Sequence, residues 1–252
     1  MPERAEVIHI AACLHEALTG QIVTKVDGPT KVDGPTKEGL TTPTQCLGVR
    51  TRGKKIILVM QTTNILFSLG LSAGFTFTRP ARYDLEISTP NRTVWFTKSA
   101  RGGKIQVLDD LQLEFVLAKI GPEALDVTLD QWTILLNTRT RICTRLADQH
   151  IVAGIGNYLR AEILYMARIH PTRPCNSLSL DERVGLRDAV QAVITAAIHG
   201  QGFTLGTYKD PLGREGAYVP LVYGRHADKD GNPVATLIVG KRKIYWVPAI
   251  QK

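Results

Sequence analysis

Apolar positions near the start of the chain recur at helical spacing: Val7, Ile10, Ala11, Leu14, Ala17 and Leu18 share one face, and Gly20 follows as a stop. The spacing predicts a helix over 7–18. From about Leu47 the period changes. Short apolar runs, Ile56 to Met60, Ile65 to Leu69, Tyr83 to Ile87, Thr93 to Phe96 and Ile105 to Leu108, are separated by glycines and by Pro90-Asn91. Strands this short and numerous behind one leading helix predict a β-sandwich. Between helix and strands the hexapeptide KVDGPT occurs twice, at Lys25 to Thr30 and Lys31 to Thr36. Two Asp-Gly-Pro triplets exclude regular helix, and two copies are too few for a repeat architecture, which leaves a duplicated loop without assigned function.

Gly121-Pro122-Glu123 reads as a linker, after which the pattern turns helical. Short helices are predicted over 129–136 and 141–147. A turn containing Gly154 and Gly156 leads into a helix over 157–168, and Ser179 with Glu182 forms a capping box opening a longer helix that ends at His199-Gly200. Thr236 to Val239 and Lys243 to Val247 flank Gly240-Lys241-Arg242, the pattern of a β-hairpin. The expectation is an α+β chain of two domains: an N-terminal β-sandwich with its leading helix over 1–122, then a helical domain over 123–220 that carries a terminal hairpin over 221–252.

With 252 residues and 44% hydrophobic content the chain can fill two cores, which excludes a disordered tail and a disulfide-stapled mini-protein. Cys13, Cys46, Cys143 and Cys175 lie too far apart for a CxxC metal knuckle, so buried free thiols are expected. No apolar run reaches the 18 or so residues of a membrane span, and the reading is a soluble intracellular protein, nuclear or cytoplasmic according to its source. The net charge of +8, with Lys241, Arg242, Lys243 and Lys252 and no acid in the final stretch, suits a polyanionic partner.

Candidate chemistry begins at the chain start, where Pro2 is followed by Glu3 and Glu6. Initiator methionine is readily removed before proline, leaving a terminal secondary amine. An α-amino group titrates near 8, about two units below lysine, so a useful fraction is unprotonated at neutral pH. Such an amine is a nucleophile toward an electrophilic carbon, and an adjacent carboxyl can shuttle protons. Farther on, the turn through Gly154 and Gly156 aims a helix start, with Asn157 as an added donor, at a phosphate. Arg52-Gly53-Lys54 makes a basic turn before an apolar strand, and Arg242 lies near the hairpin tip. Taken singly, each is as well explained by a solvated turn or a surface charge.

Taken together, Met1-Pro2-Glu3-Arg4-Ala5-Glu6-Val7, Arg52-Gly53-Lys54, the segment Asp148 to Tyr158 continuing through Glu162-Ile163-Leu164 to His170-Pro171, and Val222-Tyr223-Gly224-Arg225 with Gly240 to Gln251 resemble, in order, the landmarks of the Fpg/Nei family. These are the formamidopyrimidine-DNA and endonuclease VIII glycosylases, built around a helix–two-turns–helix module. The resemblance implies a bifunctional DNA glycosylase/AP lyase of base excision repair, acting as a monomer on damaged DNA, away from membranes and without a cofactor, and cutting the strand by β,δ-elimination. It assigns Pro2 as nucleophile, Glu3 as acid/base, and Lys54 and Arg242 as contacts to phosphates at the catalytic centre. It places Asn157, Gly156, Glu6, Lys241, Leu71 and Arg101 on DNA.

The sequence also departs from the family. In register, the four zinc-ligand cysteines fall on Ala227, Asp230, Val247 and Ile250, so no zinc site is expected; the resemblance implies a zincless finger in which Trp246, Val247 and Ile250 pack instead. Leu71 stands for the usual methionine wedge. Ala100 and Gly102 stand for the expected arginine and phenylalanine, with Arg101 adjacent as a substitute. Weaker interrogation of the opposite base follows, with acceptance of single strands or bubbles. Gly202 to Gly216 resembles a shortened base-capping loop, implying oxidised pyrimidines and ring-opened purines over 8-oxoguanine. The alternative is a non-catalytic nucleic-acid-binding protein that kept the helix–two-turns–helix contacts.

Overall fold

The computed structural model describes residues 2–28, 40–70, 73–98, 102–204 and 208–252. Helix α1 spans Arg4–Leu18. It begins earlier than its apolar spacing predicts because Glu6, in the first turn, accepts the Glu3 backbone N–H at 2.7 Å and fixes the N-cap. Val7, Ile10, Leu14 and Leu18 are buried on its inner face. Gly20, at φ +79°, turns the chain away, a conformation that costs glycine little.

The strands form two sheets. One contains β1 (Ile22–Val23), β3 (Thr44–Arg52), β4 (Lys55–Met60), β5 (Asn64–Ser68) and β9 (Lys104–Leu108), in the order β1-β3-β4-β5-β9. The other contains β2 (Lys25–Asp27), β6 (Gly74–Thr76), β7 (Leu85–Ser88) and β8 (Thr93–Thr97), in the order β2-β7-β8-β6. Phe67 of the first sheet meets Phe75 and Phe96 of the second with ring centroids 4.9 and 5.0 Å away, in edge-on and tilted pairs. The two sheets and α1 therefore share one apolar core.

The runs in β4 and β5 lack polar alternation because both faces of their sheet are covered. Ile56, Leu58, Ile65 and Phe67 face the sandwich core. Ile57 and Leu66 pack with Leu108 and Leu113 beneath helix α2 (Asp110–Leu117). That helix was not anticipated: its signal is the Asp109/Gln112 capping box, while Leu111 (85%) and Phe115 (66%) stay exposed and blur the apolar face. The first KVDGPT copy, read as loop, opens with β2, whose Val26 pairs with Ile87; the rest of the duplication, 29–36, lies outside the described residues.

The second group of elements comprises α3 (Leu129–Leu135), α4 (Ile142–Ala147), α5 (Asn157–Met166), α6 (Leu180–His199) and the hairpin β10 (Ala235–Val239)/β11 (Arg242–Trp246). Tyr158 through Tyr165 are all buried, which makes α5 the central helix against which α4, α6 and β11 pack. The Ser179/Glu182 capping box opens α6 as the sequence indicated.

By contacts the chain divides into residues through Lys119 with Gln201–Ala217, and Ile120–Gly200 with Tyr218–Lys252. Two boundaries differ from expectation. Segment 201–217, assigned to the helical domain, belongs with the sandwich, because Glu6 and His9 of α1 bind it. The hairpin is no separate domain: Val247 and Ile250 share a cluster with Ala161 and Tyr165 of α5. No helix among the described residues is long and apolar enough to cross a membrane. All four cysteines are buried and unpaired.

Candidate functional site

In the first unit the sequence-predicted residues converge on the start of α1. Pro2, Glu3 and Glu6 are buried. The Glu6 carboxylate bridges two backbone donors, the Glu3 N–H through Oε2 and the Phe203 N–H through Oε1, each at 2.7 Å. Gly202, at φ +92°, lets the chain pass: a Cβ there would sit 2.6 Å from the Glu6 Cγ. Arg4 donates to Thr51 Oγ1 (3.0 Å) and to the Gly53 carbonyl (3.3 Å). One arginine thus ties the two-residue Gly53-Lys54 turn, closed by the Arg52/Lys55 pair, to the proposed nucleophile's helix. Behind Lys54 the half-buried Lys55 donates to Ser68 Oγ; burial, then the Lys104 charge, pulls its pKa below the ordinary lysine value.

Leu71 and Arg101, expected to fill the space of an extruded base, lie outside the described residues. Their flanks adjoin: a Cβ on Gly70 would lie 2.4 Å from the Gly102 carbonyl carbon, so only glycine lets these two loops touch.

A polar cluster that the sequence reading did not identify holds segment 201–217. Asp210 Oδ2 accepts from His9 Nε2 (2.9 Å) and Arg214 Nε (2.7 Å), while Oδ1 accepts the N–H groups of Leu212 (2.9 Å) and Arg214 (2.8 Å). Burial raises the Asp210 pKa, but these donors outweigh it and hold the carboxyl below the usual range. His9, Cys13 and Asp210 have metal-ligand chemistry and lie within 4.8 Å of one another. Arg214 already supplies the cation among them, with Nη2 3.8 Å from Cys13 Sγ, and burial, followed by the Asp210 charge, keeps that thiol's pKa raised.

In the second unit Gln149 staples the glycine turn. Its Nε2 donates to the Ala147 and Ile155 carbonyls (3.0 and 2.8 Å), and its Oε1 accepts the Gly154 N–H (3.1 Å). Gly156 is the N-cap of α5, which therefore has no capping side chain of its own. Asn157 Nδ2 donates to the Lys243 carbonyl (3.1 Å) and the Tyr223 hydroxyl (3.2 Å), and Oδ1 accepts from Arg160 (2.5 Å). The residue expected to face phosphate is thus also the link that seats β11 on the start of α5. Lys241 and Arg242 are exposed at the tip, where Gly240, at φ +61°, makes the turn.

Two buried carboxylates root this hairpin. Glu162 accepts from the N–H groups of Leu221, Val222 (3.0 Å) and Tyr223 (2.8 Å) and from the Tyr218 hydroxyl (3.2 Å). Desolvation raises its pKa against the pull of those donors. Asp228 gathers the N–H groups of Asp230 and Asn232 and the Tyr165 hydroxyl, the last at 3.1 Å. An acid on the apolar face of a helix pattern was the available signal for Glu162. Nothing local marks Asp228, whose partner Tyr165 is 63 positions away.

Burial, then the Asp228 hydrogen bond, pushes Tyr165 up to about 12. Its folded pKa exceeds the ordinary value near 10, so the contact contributes fully below about pH 10 and is lost as pH rises through about 12. The thermal midpoint of wild type is expected to fall more steeply over that window than that of Tyr165→Phe, as followed by circular dichroism. Parallel curves would remove Tyr165 as the group responsible.

A family model described as the formamidopyrimidine-DNA glycosylase H2TH domain matches residues 120–208. A formamidopyrimidine-DNA glycosylase of Desulforamulus reducens is 30% identical over 281 residues, covering 100% of this chain and 99% of that protein. One of Thermomicrobium roseum is 39% identical over 160 residues, 60% of this chain, and the match spans 55% of that protein. The crystal structure of MutM (Fpg) from Thermus thermophilus superposes with a TM-score of 0.91 at 26% identity, covering 99% of this chain and 98% of that one. The chain belongs to the Fpg/Nei family.

Proposed function

We propose that this chain is a bifunctional DNA glycosylase and AP lyase of base excision repair that acts as a monomer on damaged DNA. The observation that carries the reading is the buried Pro2-Glu3 start of α1, cross-braced by Glu6 and tied through Arg4 to the Lys54 turn. The terminal amine of Pro2, once Met1 is removed, attacks C1′ of an extruded nucleotide. The C1′–N bond to the base breaks with its electron pair on the base, which leaves protonated; the amine loses its proton, and the C1′–O4′ bond then opens with its electron pair on O4′, which takes up a proton, giving a C1′ iminium on the ring-opened sugar. Loss of a C2′ proton expels the 3′ phosphate, and loss of a C4′ proton expels the 5′ phosphate. Glu3, adjacent to the amine, moves these protons. Lys54 in the first unit, and Gly156, Asn157, Lys241 and Arg242 in the second, hold phosphates.

The residues in register with zinc ligands do not fit that metal: Ala227, Val247 and Ile250 offer no donor, and Asp230 alone cannot form a set. Burial of Val247, the T-shaped contact of Trp246 on His170 at 4.3 Å, and the Asp228 hydrogen bonds support a finger that folds without zinc. Oxidised pyrimidines and formamidopyrimidines are the proposed substrates, the second class alone being in keeping with the activity for which the relatives are named.

The test is an incision assay over a lesion panel in single- and double-stranded oligonucleotides. Nicking at oxidised pyrimidines and at abasic sites is expected. Salt-sensitive DNA binding with no nicking at an abasic site would replace this reading with that of a non-catalytic binder.

A further inference from the structure

One cluster of ligating side chains in the sandwich unit takes no part in the chemistry assigned to Pro2 and Glu3. His9 and Cys13 stand one turn apart on α1, at i and i+4, and so share a face of the helix. Asp210 meets them there: His9, Cys13 and Asp210 each bring one ligand atom to within 4.8 Å of the other two. An imidazole, a thiol and a carboxylate suit a borderline-soft divalent cation of the zinc type, whereas hard cations such as Mg²⁺ and Ca²⁺ take oxygen donors. Ligand bonds of about 2.0–2.3 Å place the donors of a tetrahedral site roughly 3–4 Å apart, so these three need shift only on the order of 1 Å to close on an ion.

The two oxygens of Asp210 are held differently. Oδ1 accepts the backbone N–H groups of Leu212 and Arg214, which fixes the carboxylate in place. Oδ2 accepts from two side chains, His9 Nε2 at 2.9 Å and Arg214 Nε at 2.7 Å. The same guanidinium reaches Cys13, with Nη2 3.8 Å from Sγ, and so stands between two of the three ligands. The Arg214 side chain is 51% exposed, against 1% for Asp210, which leaves the guanidinium free to swing into water. Its departure would leave an anionic oxygen and two further donors around an uncompensated negative charge. A divalent ion supplies that charge, keeps both Oδ1 contacts, displaces the Cys13 proton to solvent and takes the nitrogen of neutral His9. Water completes the coordination from the side that Arg214 vacates.

We propose that His9, Cys13 and Asp210 form a binding site for a zinc-type divalent cation, with Arg214 as the resident cation that the metal displaces. All four residues belong to one compact unit. The site uses none of Ala227, Asp230, Val247 and Ile250, and it stands or falls independently of the reaction at Pro2.

The test titrates the reduced, chelator-stripped chain with Co²⁺, reads the ultraviolet thiolate-to-cobalt charge-transfer absorption, and then displaces the probe with Zn²⁺ to obtain the zinc affinity. Wild type, Arg214→Ala, Cys13→Ser and His9→Ala are compared, with the fold of each checked by circular dichroism. Wild type is expected to bind a single equivalent. Arg214→Ala, freed of the competing cation, should bind at least tenfold more tightly at the same stoichiometry, a gain that loss of fold does not imitate. Cys13→Ser should lose the charge-transfer band, and His9→Ala should bind at least tenfold more weakly. A band that survives Cys13→Ser would put the metal on another thiol and overturn the proposal. Equal affinities of wild type and Arg214→Ala, or absence of the band from both, would overturn it as well. So would binding by Arg214→Ala alone, since the guanidinium would then keep the site closed.

Discussion

Blocking the amine of Pro2, by a retained Met1 or an N-terminal extension, is expected to abolish borohydride trapping on abasic and oxidised-base DNA. It should also lower the single-turnover cleavage rate by more than about a thousandfold, the scale on which removal of a covalent nucleophile acts. The amine is suited to the task on three counts. As a class, terminal α-amines have an ordinary value near 8, about two units below lysine, so more of such an amine is available unprotonated at neutral pH. As a secondary amine it gives an iminium that keeps its positive charge and acidifies the neighbouring sugar protons. It is also buried and lies one residue before the N-cap of a helix whose inner face is buried, so its position is fixed before substrate arrives.

A companion variant separates nucleophile from proton shuttle. Glu3→Gln keeps the side-chain size and the backbone N–H that Glu6 accepts, and is expected to cost about 10²–10⁴ in rate with DNA affinity near wild type. Normal trapping by a protein with a blocked terminus would sink the Pro2 assignment, whatever Glu3→Gln does.

How far these features were legible in the sequence depended on how local their causes are. The body of α1, the capping box of α6 and the turns at Gly53-Lys54 and at the hairpin tip each arise within a few residues, and they stand where the pattern put them, except that Arg242, read as part of the tip, opens β11 and leaves a two-residue Gly240-Lys241 turn. Helix α2 escaped because Leu111 and Phe115 are exposed apolar residues that disguise its periodicity. Strands β4 and β5 lie where their apolar runs indicate, but those unbroken runs did not reveal that α2 covers the second face. The candidate site divides in the same way. Pro2, Glu3 and Lys54 are nominated by short motifs, whereas Asp210, which sits 201 positions from His9, and the double engagement of Asn157 with Lys243 and Tyr223 emerge only from the fold.

Replacing Glu162 by alanine is expected to destabilise the helical unit by about 3–5 kcal/mol, read as a lowered denaturant midpoint. The carboxylate is fully buried, and its loss leaves the N–H groups of Leu221, Val222 and Tyr223 and the Tyr218 hydroxyl facing a cavity with no acceptor. Each stranded donor costs about 1–3 kcal/mol before relaxation, and recovery of the desolvation cost of the removed charge limits the sum. Against a total stability of about 5–15 kcal/mol this is a large fraction. Glu162→Gln retains one acceptor oxygen, which can keep Val222 and Tyr223, but turns an NH2 toward the Leu221 N–H, so its loss should fall between wild type and alanine. Because these donors lie in the stretch that leads to the hairpin, the alanine protein should also bind DNA more weakly and with a shallower salt dependence as the proposed Lys241 and Arg242 contacts fail. A protein with wild-type stability and salt slope would show that packing of Val247 and Ile250 on α5 suffices to hold the finger, leaving Glu162 no part in it.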